Sequence, residues 1–305
     1  MPTQSIFVTK VGSPEEKAAA QLLIDSIQTF GGEMRNCPVW VFATDPQTES
    51  CQSLATSQVE VIQSPTPESL KHYPFSDKVF ACARAEARMP GDIQSLIWLD
   101  VECLIVQPPL LYALGDEFDA ALRPVHLRNV GLFLTEPLNA YWKGIYEVLG
   151  IQDVQYATES FIDHQCLRAY FNSHGFSIRP CLGLLRRWSE QFEELVCNQR
   201  FQELACQEEK YRIFLFQALL SALIASSVDE RRIRMLPPTY NYPYNLQGHI
   251  GTSQRAEVLN ELVSLTFEGR DIHPNSVMDI EIHEPLWTWL EDRVTRVYCP
   301  AQHEY

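Results

Sequence analysis

The sequence predicts an α/β protein: a mostly parallel sheet flanked by helices, followed by a more helical C-terminal half. Three observations carry this expectation. Apolar β-rich runs alternate with amphipathic helical patterns through the first third of the chain. The run LIWL at 96–99 is uniformly apolar, as a strand covered on both faces of a parallel sheet must be. Beyond residue 160, most periodic segments have helical length and spacing, which suits helices packed onto a sheet already formed.

The elements follow in order. SIFVT at 5–9 is a short β-rich run. After it, Ser13 is an N-cap, Pro14 takes the first helical position and Glu16 the third, a strong helix start. That helix sets Ala20, Leu23, Ile24 and Ile27 on one face and stops at Gly31 and Gly32. Strands are predicted at 39–42 and 59–62. A proline-containing loop, 64–74, leads to a helix over 76–88 that turns Val79, Phe80, Ala83 and Ala87 inward. Further helices are predicted at 160–173, 190–205, 209–225 and 284–297, and further strands at 118–122, 233–236 and 264–267. There is no internal repeat and no low-complexity linker, so residues 1–305 read as one domain.

Charge narrows the functional classes. With 39 acidic and 24 basic residues the net charge is −15, and such a field repels polyanions, which disfavours nucleic-acid binding while leaving room for a small anionic ligand in one pocket. Hydrophobic residues at 46% and charged residues at 21% suit a globular chain rather than a disordered one. The first ten residues show no basic segment followed by an apolar one. The longest nearly uncharged stretch, 213–225, contains Gln217 and falls short of the ~20 residues of a membrane span, so it reads as a buried helix. The nine cysteines are odd in number and lack a C-x-x-C pair, which points to reduced thiols and a cytoplasmic protein.

The most informative segment is SLIWLDVECLIVQPP at 95–109. Side chains alternate along a strand, so Asp100 and Glu102 are expected on the same side. Two carboxylates at the carboxyl end of a buried strand can share a hard cation such as Mg²⁺ or Mn²⁺, and that end of an open α/β sheet is where ligands bind. Acids fill 39 of 305 positions, so an i, i+2 pair arises several times by chance. The apolar strand before this pair and the apolar run and Pro-Pro stop after it set it apart; without them it would read as two solvated acids.

Residues 96–109 resemble the D-x-D region of nucleotide-diphospho-sugar glycosyltransferases of the GT-A fold. The resemblance extends to the first strand, loop and capped helix, to the helix bearing Lys78, and to NVGLF at 129–133, similar to that family's acceptor-side strand. It continues through DHQ at 163–165, similar to its Asp-Gln element, and LPPTYNYP at 236–243. It thus covers about residues 5 to 245 in the family's order. It implies a GT-A-like sheet with a nucleotide-sugar-binding half (1–136) and an acceptor-side half (137–305), and transfer of a sugar from a UDP- or GDP-linked donor to a carbohydrate or other hydroxyl acceptor. It also implies Mn²⁺ or Mg²⁺ at Asp100 and Glu102, with Thr9, Lys10, Val11, Lys78, Asp100 and Arg123 toward the nucleotide sugar and Asp163 and Gln165 toward catalysis.

Three departures accompany it. The second acid is Glu102 rather than Asp, His164 falls where the acid of the Asp-Gln element would, and the strand at 264–269 lacks the histidine expected as a third metal ligand, leaving His273 and His283. They motivate an alternative, a non-catalytic protein of the same fold that binds a nucleotide, glycan or partner. The same residues also have plainer readings: Lys10 in an ordinary strand-to-helix loop, Lys78 as a solvated lysine, Asp163 as a capping acid, Asn241 and Asn245 in a packed aromatic loop. Arg123 and Arg128 flank Pro124 within reach of a phosphate or acceptor.

Overall fold

The computed structural model describes residues 4–45, 49–152, 154, 156–276 and 280–294. Its centre is a seven-stranded sheet built from β1 (Ser5–Val11), β2 (Val39–Ala43), β3 (Val59–Gln63), β4 (Ser95–Leu99), β6 (Ala120–Leu122), β9 (Gly175–Ile178) and β10 (Ile233–Met235), in the order β10-β6-β9-β4-β1-β2-β3. Strand β1 lies between β2 and β4 in parallel register, Phe7 opposite both Val39 and Ile97. Only β9 runs against the others.

Alternation along the strands explains why they read as continuously apolar. Ile6, Val8, Trp40, Phe42, Leu96 and Trp98 face one core; Phe7, Val11, Val39, Val41, Ile97 and Leu99 face the other. Both faces are covered, so the strands are largely apolar, with Ser5, Thr9 and Ser177 among the few polar side chains buried in them. Helix α1 (Pro14–Phe30) covers the second face with Ala20, Leu23, Ile24 and Ile27, as its spacing predicted. Helices α2 (Ser76–Arg88), α3 (Ala140–Leu149), α4 (Leu184–Cys197), α5 (Gln199–Ala205) and α7 (Leu215–Ser227) cover the first. Helix α7 is buried from Leu215 through Ile224, and among the described residues no helix is long and apolar enough to cross a membrane. On α2, the buried Glu86 accepts the amides of Leu185 and Arg186 at 3.0 and 2.9 Å. It thereby caps α4, whose own N-cap is Gly183 and supplies no side chain. Burial raises the pKa of that carboxyl.

Several expectations change. Residues 160–173 form no helix; β7 (Ala157–Glu159) and β8 (Cys166–Arg168) pair as a hairpin there. The reason lies in the turn: the Ser160 hydroxyl donates to the Asp163 carboxylate and accepts the Gln165 amide at 2.8 Å, and His164 takes a left-handed φ of 52°. Such side-chain-to-backbone bonds compete with a helix. Residues 129–133 form a loop rather than a strand, with Asn129 left-handed and a single bridge from Phe133 to Leu167. The expected helix at 190–205 is split into α4 and α5 by Asn198, whose side chain caps α5 through Phe201. That at 209–225 is split at Phe214 into α6 (Glu209–Ile213) and α7. Helix α3, unforeseen, is capped by Asn139 and closed by left-handed Gly150.

A second, three-stranded sheet joins β5 (Cys103–Ile105), β11 (Tyr242–Pro243) and β12 (Ser264–Thr266). The final helix α8 (Leu286–Arg293) lies inside the predicted 284–297, whose end falls outside the described residues. The eight described cysteines form no disulfide; Cys299 lies outside the described residues.

Candidate active site

The chain turns sharply between β4 and β5, with the Cys103 amide bonded to the Asp100 carbonyl at 2.9 Å. Asp100 and Glu102 therefore sit on a turn, and strand alternation is not what brings them together. Both nevertheless line one cleft of about 90 Å³ with Lys10, Glu16, Phe75, Lys78, Val101, His174, Thr266 and Glu268. The place is the carboxyl edge of the sheet, where β9 enters antiparallel beside β4 and the chain reverses sense. A cavity of about 400 Å³ adjoins it, sharing Phe75 and lined also by Gly12, Thr44, Asp45, Thr66, Tyr73 and Asp77.

Asp100 is fixed from below. The Lys78 ammonium, 1% exposed, lies 2.8 and 2.9 Å from its two oxygens and also donates to the Ser173 carbonyl at 2.7 Å. The Trp98 indole donates to the same carboxylate at 2.7 Å, and the ammonium packs over the rings of Trp98 and Phe216. Lys78 is thus a buried counter-ion to Asp100 and no solvated lysine. Lys10 bridges Glu16 and Asp77 at 2.5 and 2.6 Å. Burial opposes its charge, but the two carboxylates outweigh burial and hold its pKa above the usual lysine value.

Glu102 is the strained member. Burial raises the pKa of its carboxyl; the Gly269 amide, 2.9 Å away, works against that, and the nearby charges of Glu268, Asp100 and Glu16 add to it. Around the cleft four carboxylates face two ammonium groups, leaving an excess of negative charge that a cation would offset.

The other sequence candidates disperse. Thr9 and Val11 are buried in the sheet below the cleft and only Lys10 reaches it. Arg123 is 4% exposed, packs over Phe161 at 4.7 Å and lines neither cavity; burial lowers its pKa to about 10. Arg128 pairs with Glu136 at 3.0 Å. Asp163 accepts the Arg128 amide at 2.9 Å and, with Gln165, is taken up by its own turn, outside both cavities. His273 and His283 line neither cavity.

The histidine in the cleft is one the sequence did not single out. His174 lies between the Ser173 carbonyl that anchors Lys78 and Gly175, the first residue of β9, with its Nε2 3.8 Å from Glu268. Gly175 leaves room for Tyr112, since a Cβ there would meet the Tyr112 hydroxyl at 2.7 Å. Asn241, left-handed at φ 48°, links Asn172 at 2.5 Å to the Thr266 hydroxyl at 2.6 Å. The 236–243 stretch thereby reaches the cleft wall through Thr266. The residues NSH at 172–174 were the available signal, but their role depends on β9 pairing with β4, which local pattern does not specify.

The sequence model of a family described as Rhodobacterales glycosyltransferase domain matches residues 7–227. No curated protein matches the chain. Among solved structures, the galactosyltransferase LgtC in complex with donor and acceptor sugar analogs is similar, with 14% identity over 96% of this chain and 97% of that one and a TM-score of 0.54. Mouse xyloside xylosyltransferase 1 in its apo form shows 13% identity over 90% and 99%, with a TM-score of 0.47. The first of these establishes a shared fold, the GT-A-like α/β architecture.

Proposed function

Because the chain belongs to the Rhodobacterales glycosyltransferase domain family and is a glycosyltransferase, we propose that its carboxyl-edge cleft holds a nucleotide diphosphate sugar and passes the sugar to an acceptor hydroxyl. The observation that carries this reading is the junction of the two cavities: a space of about 400 Å³ at the ends of β1 and β2, lined by both polar and apolar groups, opens beside a smaller acidic cleft at Asp100 and Glu102. The first suits a UDP or GDP nucleoside, the second the sugar end of the donor. Lys10, the ammonium at the cleft mouth, faces the diphosphate; Lys78 is too buried to do so and holds Asp100 in place.

The departing nucleoside diphosphate gains negative charge, and in a cleft already acidic that charge needs a cation. The chemistry of the donor set fits one. Asp100 and Glu102 would hold Mn²⁺ or Mg²⁺, and a bound cation would supply electrostatic stabilisation of the leaving diphosphate. Among the described residues no group of three His, Cys, Asp or Glu side chains forms a metal cage. A hard cation of this kind is bound through one or two carboxylates together with substrate phosphates. Asp163 and Gln165 are assigned no step, since they lie outside the cleft.

A thermal-shift panel tests the reading. UDP or GDP together with Mn²⁺, at about 100-fold excess over the dissociation constant, is expected to stabilise the fold by about 2.7 kcal/mol and raise the melting temperature by about 5 °C. Mn²⁺ alone is expected to do far less. No shift with any nucleotide overturns the proposal; a shift with donor hydrolysis and transfer at background supports instead a non-catalytic binder.

A further inference from the structure

The cleft wall includes a bulky aromatic, Phe75, that breaks two local rules at once. Phe75 takes a left-handed backbone, φ 59° and ψ 13°, which a bulky side chain rarely adopts. It also occupies the N-cap of α2, where Ser, Thr, Asp or Asn would bond the free amides, and it makes no side-chain cap. Its ring is 40% exposed in a chain that otherwise buries most of its aromatics. Where two local preferences fail together at a cavity, strain held for function is the physical explanation.

The placement of the ring bears on what that function is. One face stacks on Phe216, with centroids 4.3 Å apart and planes 23° apart. Phe216 in turn lies under the Lys78 ammonium at 5.3 Å, so the platform is tied through Lys78 to Asp100. The remaining surface of Phe75 opens to both cavities, of which it is the shared wall. The larger cavity is also lined by Thr44, Asp45 and Thr66, groups able to meet the polar edge of a heteroaromatic ring. Gly12 leaves room for the first of these, since a Cβ there would meet the Thr44 hydroxyl at 2.8 Å. An apolar ring face and polar groups lining one cavity are what a planar base needs.

We infer that Phe75 is the stacking platform for the nucleobase of the donor, an inference that rests on the nucleotide-sugar reading above. Stacking accepts any base because every base has a π face. Phe75 therefore supplies affinity, and the choice between uracil and guanine falls to the polar residues of the same cavity.

The test is titration of wild type, Phe75→Ala and Phe75→Trp, in the presence of Mn²⁺, with UDP, with GDP and with the corresponding glucose conjugates, folding being checked by circular dichroism. Phe75→Ala is expected to weaken whichever diphosphate the wild type binds by about 10-fold, and its sugar conjugate by the same factor. Phe75→Trp is expected to remain within about twofold of wild type, because it keeps a stacking face. Equal binding by wild type and Phe75→Ala overturns the platform while leaving the cleft assignment intact. A loss confined to the sugar conjugates also overturns it, by placing the sugar rather than the base on the ring. Failure of wild type to bind either diphosphate overturns the nucleotide reading itself. Should Phe75→Ala not fold, Phe75→Leu, which keeps apolar bulk without a π face, is judged by the same criteria.

Discussion

Asp100→Ala is expected to remove donor turnover and to cost about 3 kcal/mol of stability, measured by denaturant unfolding. The substitution strands the Lys78 ammonium, 1% exposed, with the Ser173 carbonyl as its remaining hydrogen-bond acceptor. Breaking a buried pair by deleting one partner costs about 3–5 kcal/mol, because the other charge stays desolvated. The lower end applies here because the Asp100 side chain is itself 22% exposed, so the pair already has partial access to water. Lys78→Met should cost less, since the carboxylate left behind keeps the Trp98 indole donor and solvent. Combining the two should recover part of the stability lost in Asp100→Ala without recovering turnover, the coupling expected of residues in direct contact. A single substitution that stays within about 1 kcal/mol of wild type would show that the pair does not anchor the turn.

Glu102→Gln is expected to act in opposite directions on stability and activity. Burial and the charges of Glu268, Asp100 and Glu16 raise the pKa of Glu102 above the ordinary carboxyl value of 4.5. The folded state therefore holds the proton more tightly than the unfolded one. Its contribution to stability is fully present below pH 4.5 and is lost as the pH rises through the raised folded-state value. Above that raised value the wild type carries an unfavourable charge that the glutamine variant lacks. The variant should melt at the same or a higher temperature than wild type near pH 7, with the difference vanishing toward pH 4. Turnover should fall by about 100-fold, the scale of losing one preorganised electrostatic element. A variant both less stable and fully active would contradict the assignment of Glu102 to the cleft chemistry. Exchange of stability for function is common where like charges are held together for a ligand.

How much of this was legible beforehand varies by element. The capped helix α1, the buried strand β4 and helix α2 follow from patterns a few residues long: Ser13 with Pro14, four apolar residues in a row, an amphipathic period. The hairpin of β7 and β8 does not, because the Ser160–Asp163 turn that defeats a helix works through side-chain bonds no periodicity registers. The same limit applies at the site. Asp100 and Glu102 were visible as a pair, but the reason they share a cleft is a turn between two sheets. Asp163 and Gln165 stood out as motif residues, yet the fold carries them elsewhere, while His174, Thr266 and Glu268, brought in by β9 and β12, carry no distinctive local pattern.

By itself, the sequence determined the α/β class, the mostly parallel sheet and the acidic pair beyond a buried strand. These depend on hydrophobic period, capping and apolar runs, interactions confined to neighbours in the chain. Tertiary structure alone decided the counter-ion of Asp100, the histidine in the cleft and the aromatic ring between its two cavities. Each of these requires segments distant in sequence to meet: Lys78 and Ser173 at Asp100, His174 near Glu268, Phe75 on Phe216. Such meetings are set by strand order and by the burial of charge, and strand order is a property of the whole chain.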